Sequence, residues 1–138
     1  PKKYAWINKL PKCESTKSIS SLRPRWSEKE LRAKRVKNES SVVQISEGIL
    51  MPGDSPTKME KKWANQINER VEVLILGHHG AKNSTSEFLL NKLTDLKVAI
   101  SSAREKRYGH PTMEVKNRLR KNQIPLLKTE DWGNLIFQ

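Results

Sequence analysis

The chain has three histidines, and each sits where a strand ends or the backbone turns a corner. His78 and His79 lie within Leu76-Gly77-His78-His79-Gly80, and His110 lies within Arg107-Tyr108-Gly109-His110-Pro111. A fourth group of related chemistry, Asp54, follows Pro52-Gly53. A carboxylate and imidazoles converging on a pocket suit divalent zinc or manganese, which lowers the pKa of a bound water to about 7 and so supplies hydroxide at neutral pH. Singly, each has a plainer reading. Aspartate after glycine forms turns or caps helices, a His-His pair is commonly a surface feature, and a histidine before proline can cap the helix that starts there. Their order and shared place at predicted strand ends set them apart, because reactive groups in layered α/β folds gather where strands stop. Cys13 is the one cysteine, which excludes an internal disulfide and a thiolate metal site built from this chain alone.

The elements that must position these groups are readable from periodicity. Ser41 to Ser46 is β-branched and bounded by turn-formers, and Glu47-Gly48 turns it back into Ile49-Leu50-Met51, a predicted β-hairpin. After Pro52-Gly53-Asp54, Ser55 is placed to cap a helix with Pro56 in its first turn. Met59, Trp63 and Ile67 give that helix one apolar face. Val71 to Leu76 is an apolar run too short for a helix and reads as a buried central strand. Ser84 with Glu87 predicts a capping box opening a helix through Phe88, Leu89, Leu90 and Leu93, and Lys97 to Ser101 is the next buried strand. A helix beginning near Pro111 has Met113, Val115 and Leu119 as its apolar side. Pro125 to Lys128 and Gly133 to Phe137 read as short strands around a turn at Glu130 to Gly133. Strands alternating with short helices mean an α/β layered fold.

Charge is unevenly spread. Residues 1–40 hold 12 Lys and Arg against 4 Glu, whereas the remainder hold 15 against 11 carboxylates. The sequence therefore divides into a basic N-terminal segment, 1–40, partly disordered, and a folded unit, 41–138. The segment is either a solvated linker or a phosphate-contacting surface. Within it, Ser27 to Leu31 has the form of a helix start. No apolar run approaches the roughly 18 residues that span a bilayer, so the chain is expected to be soluble. It begins at Pro1 rather than Met, which we take as the mark of a piece cut from something longer.

Gly53-Asp54, then Gly77-His78-His79-Gly80, then Tyr108-Gly109-His110-Pro111, in this order and spacing, resemble the C-terminal half of the metallo-β-lactamase-like domain of the ComEC family of competence proteins. The resemblance runs from about Asn38 to Gln138, and Tyr-Gly-His-Pro is its most specific part. It implies one half of an αββα sandwich, a mixed sheet with helices packed on one face. It also implies a metal-dependent phosphodiesterase or nuclease acting in DNA uptake, with two divalent ions, zinc or manganese, in the intact domain. On that pattern Asp54 and His79 are metal ligands, and His78 and His110 are catalytic groups that steady the phosphate or protonate the leaving oxygen. Lys82, Arg104, Arg107 and Tyr108 become phosphate or nucleic-acid contacts. Because side chains alternate along a strand and its continuation, only one of His78 and His79 is expected to face the metals.

The pattern departs from the family in one important respect. The His-x-His-x-Asp-His segment that supplies most of the family's metal ligands has no counterpart among these three histidines. The metals are then absent or weakly bound in this chain. Its partners become DNA, the missing N-terminal half of the domain, and a membrane channel in the full-length protein, which places the domain outside the cytoplasm. A second reading stays open: a non-catalytic DNA-binding module that uses the basic segment and the Arg104, Lys106, Arg107 cluster.

Overall fold

A computed structural model describes residues 20–22 and 37–136. The helix expected over Ser27 to Leu31, Cys13 and most of the basic segment lie outside the described residues. Six strands form one sheet in sequence order: β1 (Ser20–Leu22), β2 (Val43–Ser46), β3 (Ile49–Met51), β4 (Val73–Ile75), β5 (Val98–Ser101) and β6 (Leu126–Lys128). The first two pairings are antiparallel and the last three parallel, so the sheet is mixed. The β2–β3 hairpin closes through Glu47 and Gly48 at φ 50° and 76°. Two consecutive left-handed residues match the twist of the strands they join.

Parallel neighbours need crossovers, and each carries a helix. Helix α1 (Thr57–Trp63) joins β3 to β4, and α2 (Glu87–Lys92) joins β4 to β5. A short α3 (Glu105–Tyr108) and then α4 (Met113–Lys121) join β5 to β6, after which comes α5 (Thr129–Trp132). Strand register shows how one face becomes the core. Ile45, Leu50, Leu74, Ala99 and Leu126 are successive cross-strand partners and form one row across five strands. That row packs in a single cluster with Met59 and Trp63 of α1, Leu89 and Leu90 of α2, and Val115 and Leu119 of α4. The three helices therefore share one side of the sheet, and the α/β class read from the sequence holds. The reverse side carries a second set of rows, Ile49–Val73–Val98 and Ile75–Ile100–Leu127.

Several local expectations change for identifiable reasons. Ser55 does not cap α1; its hydroxyl accepts a 2.9 Å hydrogen bond from the buried indole N–H of Trp63, and Pro56 holds the cap position. A buried indole needs an acceptor, and that need outweighs a helix cap. Ser84 likewise does not cap α2. Its hydroxyl donates to the carbonyls of Gly77 and Ala81, and the cap is Ser86, whose oxygen accepts from the Leu89 N–H. Met113 is 59% exposed, leaving Val115 and Leu119 as the buried side of α4. The expected strand from Gly133 is not seen through Ile136, and the expected turn at Glu130 is the helix α5. Lys128 accounts for that helix, because it pairs with Glu130 and Asp131 in the first turn as well as with Glu105. These bonds, with Asp131 first and Glu105 next, raise its ammonium pKa.

Two outcomes follow. Leu50 is fully buried at the centre of the row, so Leu50→Ala should cost about 2–5 kcal/mol in denaturant unfolding, against little change for exposed Val42→Ala. Glu105 ties α3 to α4 and β6 through Lys116 and Lys128, and those two bonds hold its carboxyl below the usual 4.5. A depressed acid contributes stability above its unfolded pKa and loses it as pH falls through the folded value. Docking of α3 should therefore persist at neutral pH and loosen only well below pH 4.5. A carbon-detected titration of Glu105 should give a midpoint under 4.5 that rises in Lys116→Met.

Candidate functional site

Strands β3, β4 and β5 run parallel, so their C-terminal ends lie side by side, and the segments that follow β4 and β5 line one cleft. After β4, Gly77–Gly80 forms a tight turn in which His78 (φ 47°), His79 (φ 56°) and Gly80 (φ 92°) are all left-handed. For a residue with a side chain this conformation costs on the order of 1–3 kcal/mol, and it persists only where its surroundings over-determine it. Those surroundings are visible. The His78 N–H donates to the Gly53 carbonyl beyond β3 (2.8 Å), the Ser101 hydroxyl at the end of β5 donates to the His79 carbonyl (3.2 Å), and the Thr112 N–H donates to the Gly80 carbonyl (2.9 Å). A Cβ on Gly80 would fall 2.6 Å from Cβ and 2.8 Å from Cα of Pro111, so the position admits no side chain.

The alternation expected for His78 and His79 fails because the two residues do not continue the strand. Both line the same cleft of about 750 Å³, together with His110. Each ring is fixed through Nδ1: His79 lies 2.9 Å from the Ser102 hydroxyl and His78 3.5 Å from the Asn38 amide. Nε2 of both rings has no partner among the described residues. The ring of His110 stands 6.0 Å from that of His78, tilted by 48°, and its Nδ1 is buried without a hydrogen bond. Neither Asn38 nor Ser102 was identifiable from the sequence as part of the site. Ser102 follows directly on a strand end, which is a usable signal, whereas Asn38 comes from a turn 40 residues before His78 and leaves none.

The opposite wall is cationic. Arg104, Arg107 and Tyr108 line it, the Arg107 guanidinium lies 5.2 Å from the Tyr108 ring centre, and Tyr108 is 56% exposed. Glu105, between them in sequence, points away into its lysine pairs. Arg104, Lys106 and Arg107 consequently have no ion pair among the described residues, and no carboxylate lines the cleft. Lys106 sits on the neighbouring groove instead. Lys82 is exposed outside the cleft, with its charge near Glu114.

Asp54 is exposed at the corner after Gly53 and is not brought into the cleft wall with the histidines. Among the described residues no three His, Cys, Asp or Glu side chains gather where they could hold one ion. The described donors do not by themselves fit a metal centre, which needs about three protein ligands.

A polar brace that the sequence did not reveal lies behind the histidine turn. Glu60 of α1 is fully buried, and its two carboxylate oxygens accept from the N–H groups of Thr85 (2.6 Å) and Ser86 (2.8 Å). Burial pushes its carboxyl up, while the donors at Ser86 and Thr85 and the charge of Arg118 pull it back. Arg118 of α4 donates to the carbonyls of Lys82 (2.7 Å), Ser84 (2.6 Å) and Thr85 (2.5 Å).

No protein-family model matches the chain, and no solved structure matches it. Three curated proteins are similar to it. Competence protein ComA of Neisseria gonorrhoeae is 36% identical over 104 residues. ComE operon protein 3 of Bacillus subtilis is 32% identical over 107, and Recombination protein 2 of Haemophilus influenzae 34% over 101. The alignments take in 71–74% of this chain but only 13–15% of each relative. No described helix is long and apolar enough to cross a membrane. Over nearly three quarters of its length the chain is thus similar to one short segment of each of these longer proteins.

Proposed function

We propose that this chain is the nucleic-acid-contacting part of a competence DNA-uptake protein, and that the cleft beyond the ends of β4 and β5 receives a phosphodiester backbone. One observation carries the reading. Arg104 and Arg107 line a cleft without carboxylates and lack ion-pair partners among the described residues, and the intervening Glu105 pairs with Lys116 and Lys128. Unneutralised guanidinium groups beside free imidazole nitrogens suit an anion with several oxygens. The exposed Tyr108 ring offers a stacking surface for a base next to it.

The arrangement also favours a second reading, that of a metal-dependent phosphodiesterase or nuclease of the metallo-β-lactamase kind. In its support, His78, His79 and His110 line one cleft beyond the C-terminal ends of parallel strands. The reverse face of the sheet is apolar as well, as in a sheet covered on both sides. In that reading Asp54 and His79 belong to a two-metal site completed by residues beyond those described, with His78 and His110 on the phosphate. Lys82 would meet the strand as it leaves the cleft. The domain would be appended to a membrane channel outside the cytoplasm.

Two measurements test these readings. Fluorescence anisotropy with a labelled oligonucleotide should show affinity falling steeply with salt, and Arg104→Ala and Arg107→Ala should each reduce the slope by about one. Lys61→Ala on the distant α1 should leave it unchanged. An unaltered slope in both arginine variants would remove the cleft from the interface. Calorimetric titration with zinc near neutral pH should show weak binding and no parallel nuclease activity, because complete structural zinc sites draw roughly 10–16 kcal/mol from a full ligand set. Tight stoichiometric binding abolished by Asp54→Ala would show instead that the chain holds a complete metal site.

A further inference from the structure

We infer that Glu60 and Arg118 are positioning residues for the His78–His79 turn, two side chains from separate helices that clamp the segment after it and so fix where both imidazoles point. The inference rests on the cleft's being the binding site. Its basis is the hydrogen bonding of the backbone between the turn and α2. The Ala81 N–H donates to the His78 carbonyl and the Ser84 N–H to that of Ala81, while the Ser84 hydroxyl reaches back to Gly77. The segment is thereby tied directly to the turn. Beyond that tie, six groups of the segment look outward to other elements. The carbonyls of Lys82, Ser84 and Thr85 go to Arg118, that of Asn83 goes to the Thr57 N–H of α1 (2.8 Å), and the N–H groups of Thr85 and Ser86 go to Glu60.

The clamp holds an unfavourable conformation. Thr85 is β-branched, fully buried and at φ 53°, with its own hydroxyl lacking a hydrogen bond. A threonine rarely adopts this backbone geometry unless both of its peptide groups are gripped from outside. Glu60 grips its N–H and Arg118 its carbonyl. With His78 and His79, three residues with side chains stand in left-handed geometry within eight positions, all on the chain between β4 and α2. A charged carboxylate and a guanidinium are costly groups with which to brace an ordinary loop, because ions brought out of water must recover their solvation through directed bonds. What directed bonds supply, and apolar packing does not, is a fixed orientation.

The test uses Glu60→Gln, which keeps the shape but turns one acceptor into a donor, and Arg118→Lys, which keeps the charge but loses the planar three-carbonyl grip. Histidine ring resonances, oligonucleotide affinity and its salt slope, and thermal stability are read together. Both variants should shift or broaden the ring signals of His78 and His79 and weaken binding several-fold. The salt slope should stay unchanged, since no phosphate-contacting cation is removed. If Glu60→Gln fails to fold, Arg118→Lys carries the test alone. Lowered melting temperature with unmoved histidine signals and wild-type affinity would overturn the inference, leaving a purely structural brace. The ring signals do not depend on DNA. Moved signals in a protein whose parent binds no oligonucleotide would therefore sink the proposed function and leave the clamp standing.

Discussion

Three parallel strands that end together must stop without exposing the next layer of core, and here the stop is the left-handed turn Gly77–Gly80. The rest of the cleft depends on it. Gly80 lies against Pro111 closely enough to exclude a Cβ, and its carbonyl takes the Thr112 N–H, so the same contact fixes the start of α4. The Gly53 carbonyl at one side and Ser101 at the other tie the turn to both neighbouring strands. A β-strand continuation would have sent one histidine to each face of the sheet. Consecutive left-handed residues bring both to the same side, where they share one cleft with the segment that follows β5.

Charge is sorted by the same geometry. The chain is strongly basic, yet excess charge by itself creates no site. What creates one is the removal of acid from its neighbourhood. Glu105 is flanked in sequence by Arg104, Lys106 and Arg107, but helical spacing turns it away from all three. Lys116 and Lys128 take it instead, and Glu130 accepts the Glu105 N–H. Lys128, shared among Glu105, Glu130 and Asp131, thus holds β6, α3 and α5 together and leaves the arginines facing the cleft.

The sheet was legible because its signal is local: β-branched runs bounded by turn-formers gave every strand from β2 to β6 to within a few residues. The histidines were legible for a related reason, since strand ends can be counted along the chain. What stayed hidden was long-range. Ser55 and Ser84 sit at plausible cap positions, and each spends its hydroxyl on a partner several residues away that no local pattern specifies. Glu60 stands in Thr57-Lys58-Met59-Glu60-Lys61-Lys62, where it looks like one more solvated charge, and Arg118 is one of several cations on α4. Their roles come from a loop 25 to 36 residues distant from them in sequence. Only the fold brings such groups together.

Hydrogen bonding through Nδ1 has a chemical consequence for the two turn histidines. A ring held at Nδ1 by Ser102 or Asn38 is fixed in rotation, and its outward nitrogen, Nε2, becomes the one available to a ligand or a phosphate oxygen. His110 is the reverse case: its buried Nδ1 has no partner, so its ring is oriented by packing and by its place beside His78. Two rings with directed outward nitrogens and a third held by contact make a surface matched to an anion's oxygens. To hold an ion as well, that surface needs further donors brought to it, and Asp54 is the carboxylate next in sequence to the carbonyl that anchors His78. The same turn therefore serves both readings of the cleft. The number of donors brought against it decides between them.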